Sequence, residues 1–225
     1  MITRRHFIGA AAGAGVLVVA GHTPATAAPS TTPASPGTWE GDISANGWRI
    51  DPAAVSGHRV EGSNATLALH GSAAVVLLHV ARRWHYEIAP LDTGEGGGAT
   101  GHTEDRRVAA DFESNHLSGS AVALHPTAYP IRGSEGLWPH QEAIVRDILA
   151  DCEGVVTWGG DLTPAKVSHF HIEVRPESRA LRQVVRRLDT TRFRDSQTAS
   201  PGAVRDPAEA GRRERARRLE RAQKH

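Results

Sequence analysis

The sequence predicts an α+β fold in which helices flank a small antiparallel sheet. Three observations carry that reading. Short runs with strand character occur at Leu67-Ala68-Leu69, Ala121-Val122-Ala123-Leu124, 154–158 and 169–174, within or just below the usual length of about 4–8 residues. Helical spacing of apolar residues marks 72–84 and 139–150. These strands and helices do not alternate as βαβ units do, which argues against a parallel sheet.

Taken in order, the chain opens with Arg4-Arg5-His6-Phe7, an apolar stretch over 10–20, and Ala25-Thr26-Ala27. Residues 1–28 therefore read as a twin-arginine export signal with small residues at the cleavage site. The apolar core is too short and too rich in Gly and Ala for a membrane span, which needs about 20 residues. The protein is thus expected to be secreted, periplasmic or cell-wall associated. Residues 29–45 follow as a Pro/Ser/Thr-rich linker without periodicity. A single domain is expected over 46–188, and a basic tail, mostly disordered or partly helical, over 189–225.

Within the domain, 67–69 is read as a strand and 72–84 as a helix that turns Val76, Val80 and Trp84 inward. Residues 86–91 alternate and are read as a further strand ending near Pro90, and 94–101 (GEGGGATG) is read as a loop. Ala121 to Leu124 reads as a buried strand ended by His125-Pro126. Residues 139–150 give the clearest helix: proline suits its first turn, and Ile144, Ile148 and Leu149 share a face. Two more strands follow, 154–161 running into a glycine turn and 169–174 alternating in polarity.

Composition narrows the function classes. Lys and Arg number 26 against 25 Asp and Glu, a formal charge of +1, so the chain as a whole makes no case for nucleic acid. Its one cysteine, Cys152, rules out an intramolecular disulfide, and the flanking Asp151 and Glu153 disfavour a reactive thiolate. The stability of the domain must rest on its core. In the tail, residues 207–225 combine many arginines with almost no apolar face, which predicts a solvated extension able to contact anionic wall polymers.

Candidate chemistry centres on histidines. His169 and His171 lie two apart on a strand and share a face, with Phe170 and Ile172 on the other. His116, in a Ser/Gly-rich turn before the strand at 121–124, supplies a third imidazole, and three protein ligands are the usual complement of a catalytic zinc. Large aromatics such as Trp138, Trp158 and Tyr129 either line a cleft or belong to the core, and core is the reading taken.

Ser114-Asn115-His116-Leu117-Ser118-Gly119-Ser120-Ala121-Val122-Ala123, with Trp158-Gly159-Gly160-Asp161 and His169-Phe170-His171-Ile172, resembles the SxHxxGxAxD and WGGD…HFxI segments of the VanY-type D-alanyl-D-alanine carboxypeptidases and L-alanyl-D-glutamate peptidases. The resemblance spans about residues 47–188 and implies a Hedgehog/DD-peptidase-like fold. It implies a zinc cofactor held by His116 and His169, with His171 as a candidate catalytic residue or, as in related cell-wall endopeptidases, as the ligand while His169 acts as the base. Strand alternation separately offers His125, two residues beyond Ala123 on the same face, as a further alternate. Arg106, in an R-x-[IV] pattern, would hold the carboxylate of a peptidoglycan stem peptide, with Arg107 as the fallback. The sequence departs from the family at two places: Ala123 replaces a zinc-binding aspartate, and Lys166 replaces the acidic general base. Asp111, Glu113, Asp161 and Glu173 are the remaining acids near the motifs, none at the family spacing. Two functions follow as expectations, a zinc peptidase acting on stem peptides and a non-catalytic binder of a wall peptide or partner on the same fold.

Overall fold

Backbone pairing starts earlier than the composition of the linker predicts. The computed structural model describes residues 37–198 and 206–223, all within one unit spanning 34–225; the expected export signal and residues 29–36 lie outside the described residues. The elements in chain order are β1 (Gly37–Thr38), β2 (Val55–Arg59), β3 (Thr66–His70), α1 (Gly71–Glu87), β4 (Ala99–Thr100), β5 (Arg107–Val108), β6 (Ala121–Leu124), α2 (Pro139–Asp151), β7 (Val156–Trp158), β8 (His169–Ile172), α3 (Arg179–Thr198) and α4 (Ala210–Gln223). Short 3-10 turns lie between several of them. The α+β class holds, and every pairing between strands is antiparallel. Strand β1 pairs with β5, so residues 37–38, placed in the expected linker, share backbone pairing with the domain.

Helix α1 is the element on which the rest packs. His70 Nδ1 accepts the Ser72 N–H at its start, satisfying one of the free donors of the first turn. Ala73, Val76, Leu77, Val80, Ala81 and Trp84 are buried along one side, which is the stripe expected of a helix covering a core. The helix continues through Tyr86 and Glu87, and the Ile88 and Ala89 N–H groups both donate to the Trp84 carbonyl. The strand expected at 86–91 is therefore the end of this helix. Polar alternation near a helix terminus resembles strand alternation over so few residues, and Pro90 marks the exit in either case.

The four-stranded sheet has the order β4-β6-β8-β7. Its register places Ala121 opposite His171, Val122 opposite Phe170 and Ala123 opposite His169, while Val156 faces Ile172, Thr157 faces His171 and Trp158 faces Phe170. Since successive side chains alternate between faces, Val122, Leu124, Phe170, Ile172, Val156 and Trp158 form one face, and all belong to the core with α1 and α2. Phe170 meets Trp84 edge-on with ring centroids 5.8 Å apart. The other face carries Ala121, Ala123, Thr157, His169 and His171, and it is the face of the candidate site.

Leu181, Val184 and Leu188 of α3, at the end of the expected domain, are buried. In the tail, where a solvated extension was expected, α4 packs on α2 with Arg212 and Ala216 buried. Arg212 donates to Asp147 and Asp151, which also receive Arg83 from α1. Ion pairing takes the place of the apolar stripe whose absence predicted a solvated extension. Among the described residues no helix is long and apolar enough to cross a membrane.

Candidate functional site

The Ser/Gly-rich segment before β6 is a polar knot that fixes the site against the N-terminal loop. Ala45 N–H donates to Ser114 Oγ, Asn46 N–H to Asn115 Oδ1, and Asn46 Nδ2 to both Ser120 Oγ and the Ile172 carbonyl. Gly119 sits at φ +67° with an added Cβ only 2.7 Å from the His70 nitrogen, so backbone handedness and close approach both demand glycine. Gly159 is required for a different reason: a Cβ there would lie 2.3 Å from the Lys166 carbonyl. Both motif glycines thus have a packing role.

Three imidazoles form a linear chain. His116 Nδ1 lies 2.8 Å from the Gly101 carbonyl, His116 Nε2 lies 3.2 Å from His169 Nδ1, His169 Nε2 lies 3.0 Å from His171 Nδ1, and His171 Nε2 lies 3.1 Å from Glu173 Oε2. A carbonyl only accepts, so His116 Nδ1 carries a hydrogen and His116 Nε2 presents its lone pair. His169 Nδ1–H then donates to His116 and His171 Nδ1–H donates to His169 Nε2, while His171 Nε2 lies against the Glu173 carboxylate. This assignment gives every ring nitrogen a partner. Burial first, and the nearby Lys166 ammonium second, push His116 down to about 4. Burial followed by the charge of His116 holds His169 well below the usual histidine range. The hydrogen bond from His171 is the main cause that keeps Glu173 below the usual carboxylate range.

Lys166 is held in an ion pair. Its Nζ lies 2.6 Å from Glu113 Oε1, with both side chains largely buried. The second Glu113 oxygen accepts the Ala109 N–H at 2.7 Å. A fixed ammonium, held by its own carboxylate, therefore stands beside His116 and His169.

The residues do not fit a complete zinc centre. The 3.2 Å between His116 Nε2 and His169 Nδ1 matches the edge of about 3.3 Å between two nitrogens on a tetrahedral ion at Zn–N distances of about 2.0–2.1 Å. The remaining vertices have no donor. Ala123, directly across from His169, offers a methyl; His171 Nδ1 bonds the far nitrogen of His169 and does not converge on the same point; Glu113 is engaged by Lys166. Among the described residues no three His, Cys, Asp or Glu side chains form a metal-holding group.

Other predicted residues fall elsewhere. His125 leaves the strand at φ 53°, accepts from Trp84 Nε1–H at 2.9 Å through Nδ1, and donates through Nε2 to the Pro90 carbonyl at 3.0 Å. It is a buried structural tautomer on the α1 side, because the strand ends before it and its side chain no longer follows the alternation. Arg106 donates to the Trp39 and Gly41 carbonyls at 3.0 Å each, pinning the N-terminal segment, while Arg107 is exposed and bonded to Asp105. Asp161 pairs with Arg146, whose guanidinium stacks 4.8 Å from the Trp158 ring. Trp158 is core, as expected, Tyr129 is half-buried against Trp84, but Trp138 is 70 % exposed. Cys152 is buried, and burial pushes its thiol up.

A cleft of about 450 Å³ opens at the end of the histidine chain. Asn46, Asn115, Phe112, Arg132, His171 and Glu173 are among its lining residues. The cleft reaches His171 but not His116 or His169, over which Phe112 packs with its ring 4.8 Å from that of His169. The Arg132 backbone N–H donates to the Ala165 carbonyl at 2.8 Å at a left-handed φ of 58°, while its guanidinium makes no hydrogen bond or ion pair among the described residues. Neither Arg132 nor the Lys166–Glu113 pair carries a sequence signal; the Arg-Gly dipeptide at 132–133 marks only a turn. No protein family, curated protein or solved structure matches the chain.

Proposed function

We propose that the protein is an exported, non-hydrolytic relative of the VanY-type peptidases, a pseudoenzyme on a Hedgehog/DD-peptidase-like fold that binds the peptide stem of peptidoglycan. The observation that carries this reading is the Lys166–Glu113 ion pair beside His116 and His169. Where the resembling enzymes have an acid able to take a proton, this chain has an ammonium that cannot, and Ala123 supplies no ligand where they have an aspartate. What remains is a peptide-sized cleft with one uncommitted guanidinium.

Arg132 is the group suited to a terminal carboxylate, because a guanidinium makes two parallel hydrogen bonds to it. Phe112, Leu162 and Pro164 offer apolar surface for short side chains. Asp111 and Glu173 lie on the same cleft and suit a ligand ammonium. The exposed arginines of α4, Arg213, Arg215, Arg217, Arg218 and Arg221, would attract anionic wall polymers through charge that salt screens. A second reading, a zinc peptidase, is favoured only by the 3.2 Å spacing of His116 and His169.

Calorimetric titration with a stem peptide ending in D-Ala-D-Ala tests the proposal. The acid should bind at least about tenfold more tightly than its C-terminal amide, as expected for loss of a charged hydrogen bond, and Arg132→Ala should erase that difference while Arg106→Ala retains it. Equal affinity for acid and amide would exclude carboxylate capture at Arg132.

A further inference from the structure

A second concavity, of about 430 Å³, lies at the start of α2 and includes Tyr129, Glu135, Leu137 and Trp138. Trp138 is the most exposed large hydrophobic side chain of the described residues, at 70 %. Its mounting is rigid. The Trp138 N–H donates to Gln141 Oε1 at 3.0 Å, the Trp138 carbonyl accepts the Glu142 N–H at 2.9 Å, and Pro139 fixes the next φ. These bonds fix the backbone that carries the indole, and the indole itself stands in water.

The polar groups around it are uncommitted. Among the described residues Trp138 Nε1–H, the Tyr129 hydroxyl and the Glu135 carboxylate make no hydrogen bond or ion pair. The concavity thus offers a flat apolar face rimmed by two donors and a two-oxygen acceptor. A ligand with one C–H face and a rim of hydroxyls matches that combination: its weakly positive C–H groups lie on the negative face of the indole, while its hydroxyls satisfy acceptor and donors. An organic cation also favours an aromatic face beside a carboxylate, but its attraction grows only when rings enclose and desolvate it. No second ring closes over Trp138, since Tyr129 is turned edge-on to Trp84 at 6.2 Å and 78°.

We infer that Trp138, Glu135 and Tyr129 form a saccharide-binding site in which a pyranose ring stacks on the Trp138 indole. This site is separate from the peptide cleft. Both are bordered by one segment, in which Arg132 faces the peptide cleft while Tyr129 and Glu135 face the saccharide site.

The test titrates the full chain, labelled with ¹⁵N, with a trimer of β-1,4-linked N-acetylglucosamine and separately with choline, and measures affinity in parallel by calorimetry. The trimer should give saturable shifts of the Trp138 indole N–H, identified by its disappearance in Trp138→Ala, and of amides over 129–138. Trp138→Ala should weaken binding at least tenfold, Trp138→Phe should retain part of it, and Glu135→Gln should weaken it. Arg132→Ala should leave it unchanged, so the saccharide site and the peptide reading succeed or fail separately. The inference is overturned by no saturable binding of the trimer, by equal affinity in Trp138→Ala, or by binding of choline alone.

Discussion

At the residue scale, Lys166 is matched to its surroundings. Lys166 is neutralised by Glu113, so removing it strands a largely buried carboxylate. Lys166→Met should lower unfolding free energy in urea by about 3 kcal/mol, and the double variant Lys166→Met with Glu113→Leu should recover most of that loss, because breaking a buried pair costs more than replacing it. The histidine chain gives a pH dependence of known sign. His116 is held down to about 4 by burial and then by Lys166, whereas in the unfolded chain it titrates near about 6.5. Between those values the unfolded state takes up a proton that the folded state refuses, so stability falls as pH falls, by about 1.4 kcal/mol per pH unit from this residue. Urea midpoints measured from pH 7 to 4.5 should decline less steeply in His116→Asn than in the parent. The shared face of His169 and His171 was legible, because alternation is local. The partner of Lys166 was not, since Glu113 lies 53 positions away and only the fold brings them together.

At the element scale, the pattern of residues predicted several elements whose burial is apolar, but it gave no helix over α3 although Leu181, Val184 and Leu188 are buried there, and it did not predict the docking of α4 by charge. Strand β8 was read from the alternation of Phe170 and Ile172, and both are fully buried. Phe170→Ala should cost about 3–5 kcal/mol, the usual range for deleting a core aromatic, and a urea melt checks it. A partly helical tail was expected, but the packing of α4 was not, because one of its buried residues is an arginine whose partners, Asp147 and Asp151, lie on α2. Arg212→Met should destabilise α4 by about 2 kcal/mol, the worth of charged hydrogen bonds. Hydrogen exchange should then show amides of 210–223 losing protection while those of β6 and β8 keep theirs; uniform loss across the domain would mean that α4 is part of the cooperative core. The misread strand at 86–91 has a different cause: with so few residues, the periods of helix and strand cannot be told apart.

At the scale of the whole molecule, the fold sets a mixed sheet face of alanines and histidines behind a cleft whose uncommitted cation is Arg132. That position was illegible from sequence, because it depends on a left-handed backbone at 132 and on the approach of the segments around Asn46, Phe112 and Leu162. The arginine chosen from the motif, Arg106, ties the N-terminal segment to the domain instead. Charge is also uneven over the molecule: a chain of net charge +1 exposes five arginines on α4. Retention on a polyanionic column should therefore fall steeply with salt and drop when Arg213, Arg217 and Arg221 are changed together to Gln; retention unaffected by that change would place the basic contact elsewhere.

The cleft is proposed to capture a stem peptide and leave it intact. The most direct measurement mixes the protein with one equivalent of zinc and an excess of a stem pentapeptide ending in D-Ala-D-Ala, and follows the peptide by proton NMR over a day. The account predicts broadened or shifted resonances of the terminal residues, dependent on Arg132, with no free D-alanine. Release of D-alanine that stops on adding a chelator would contradict it.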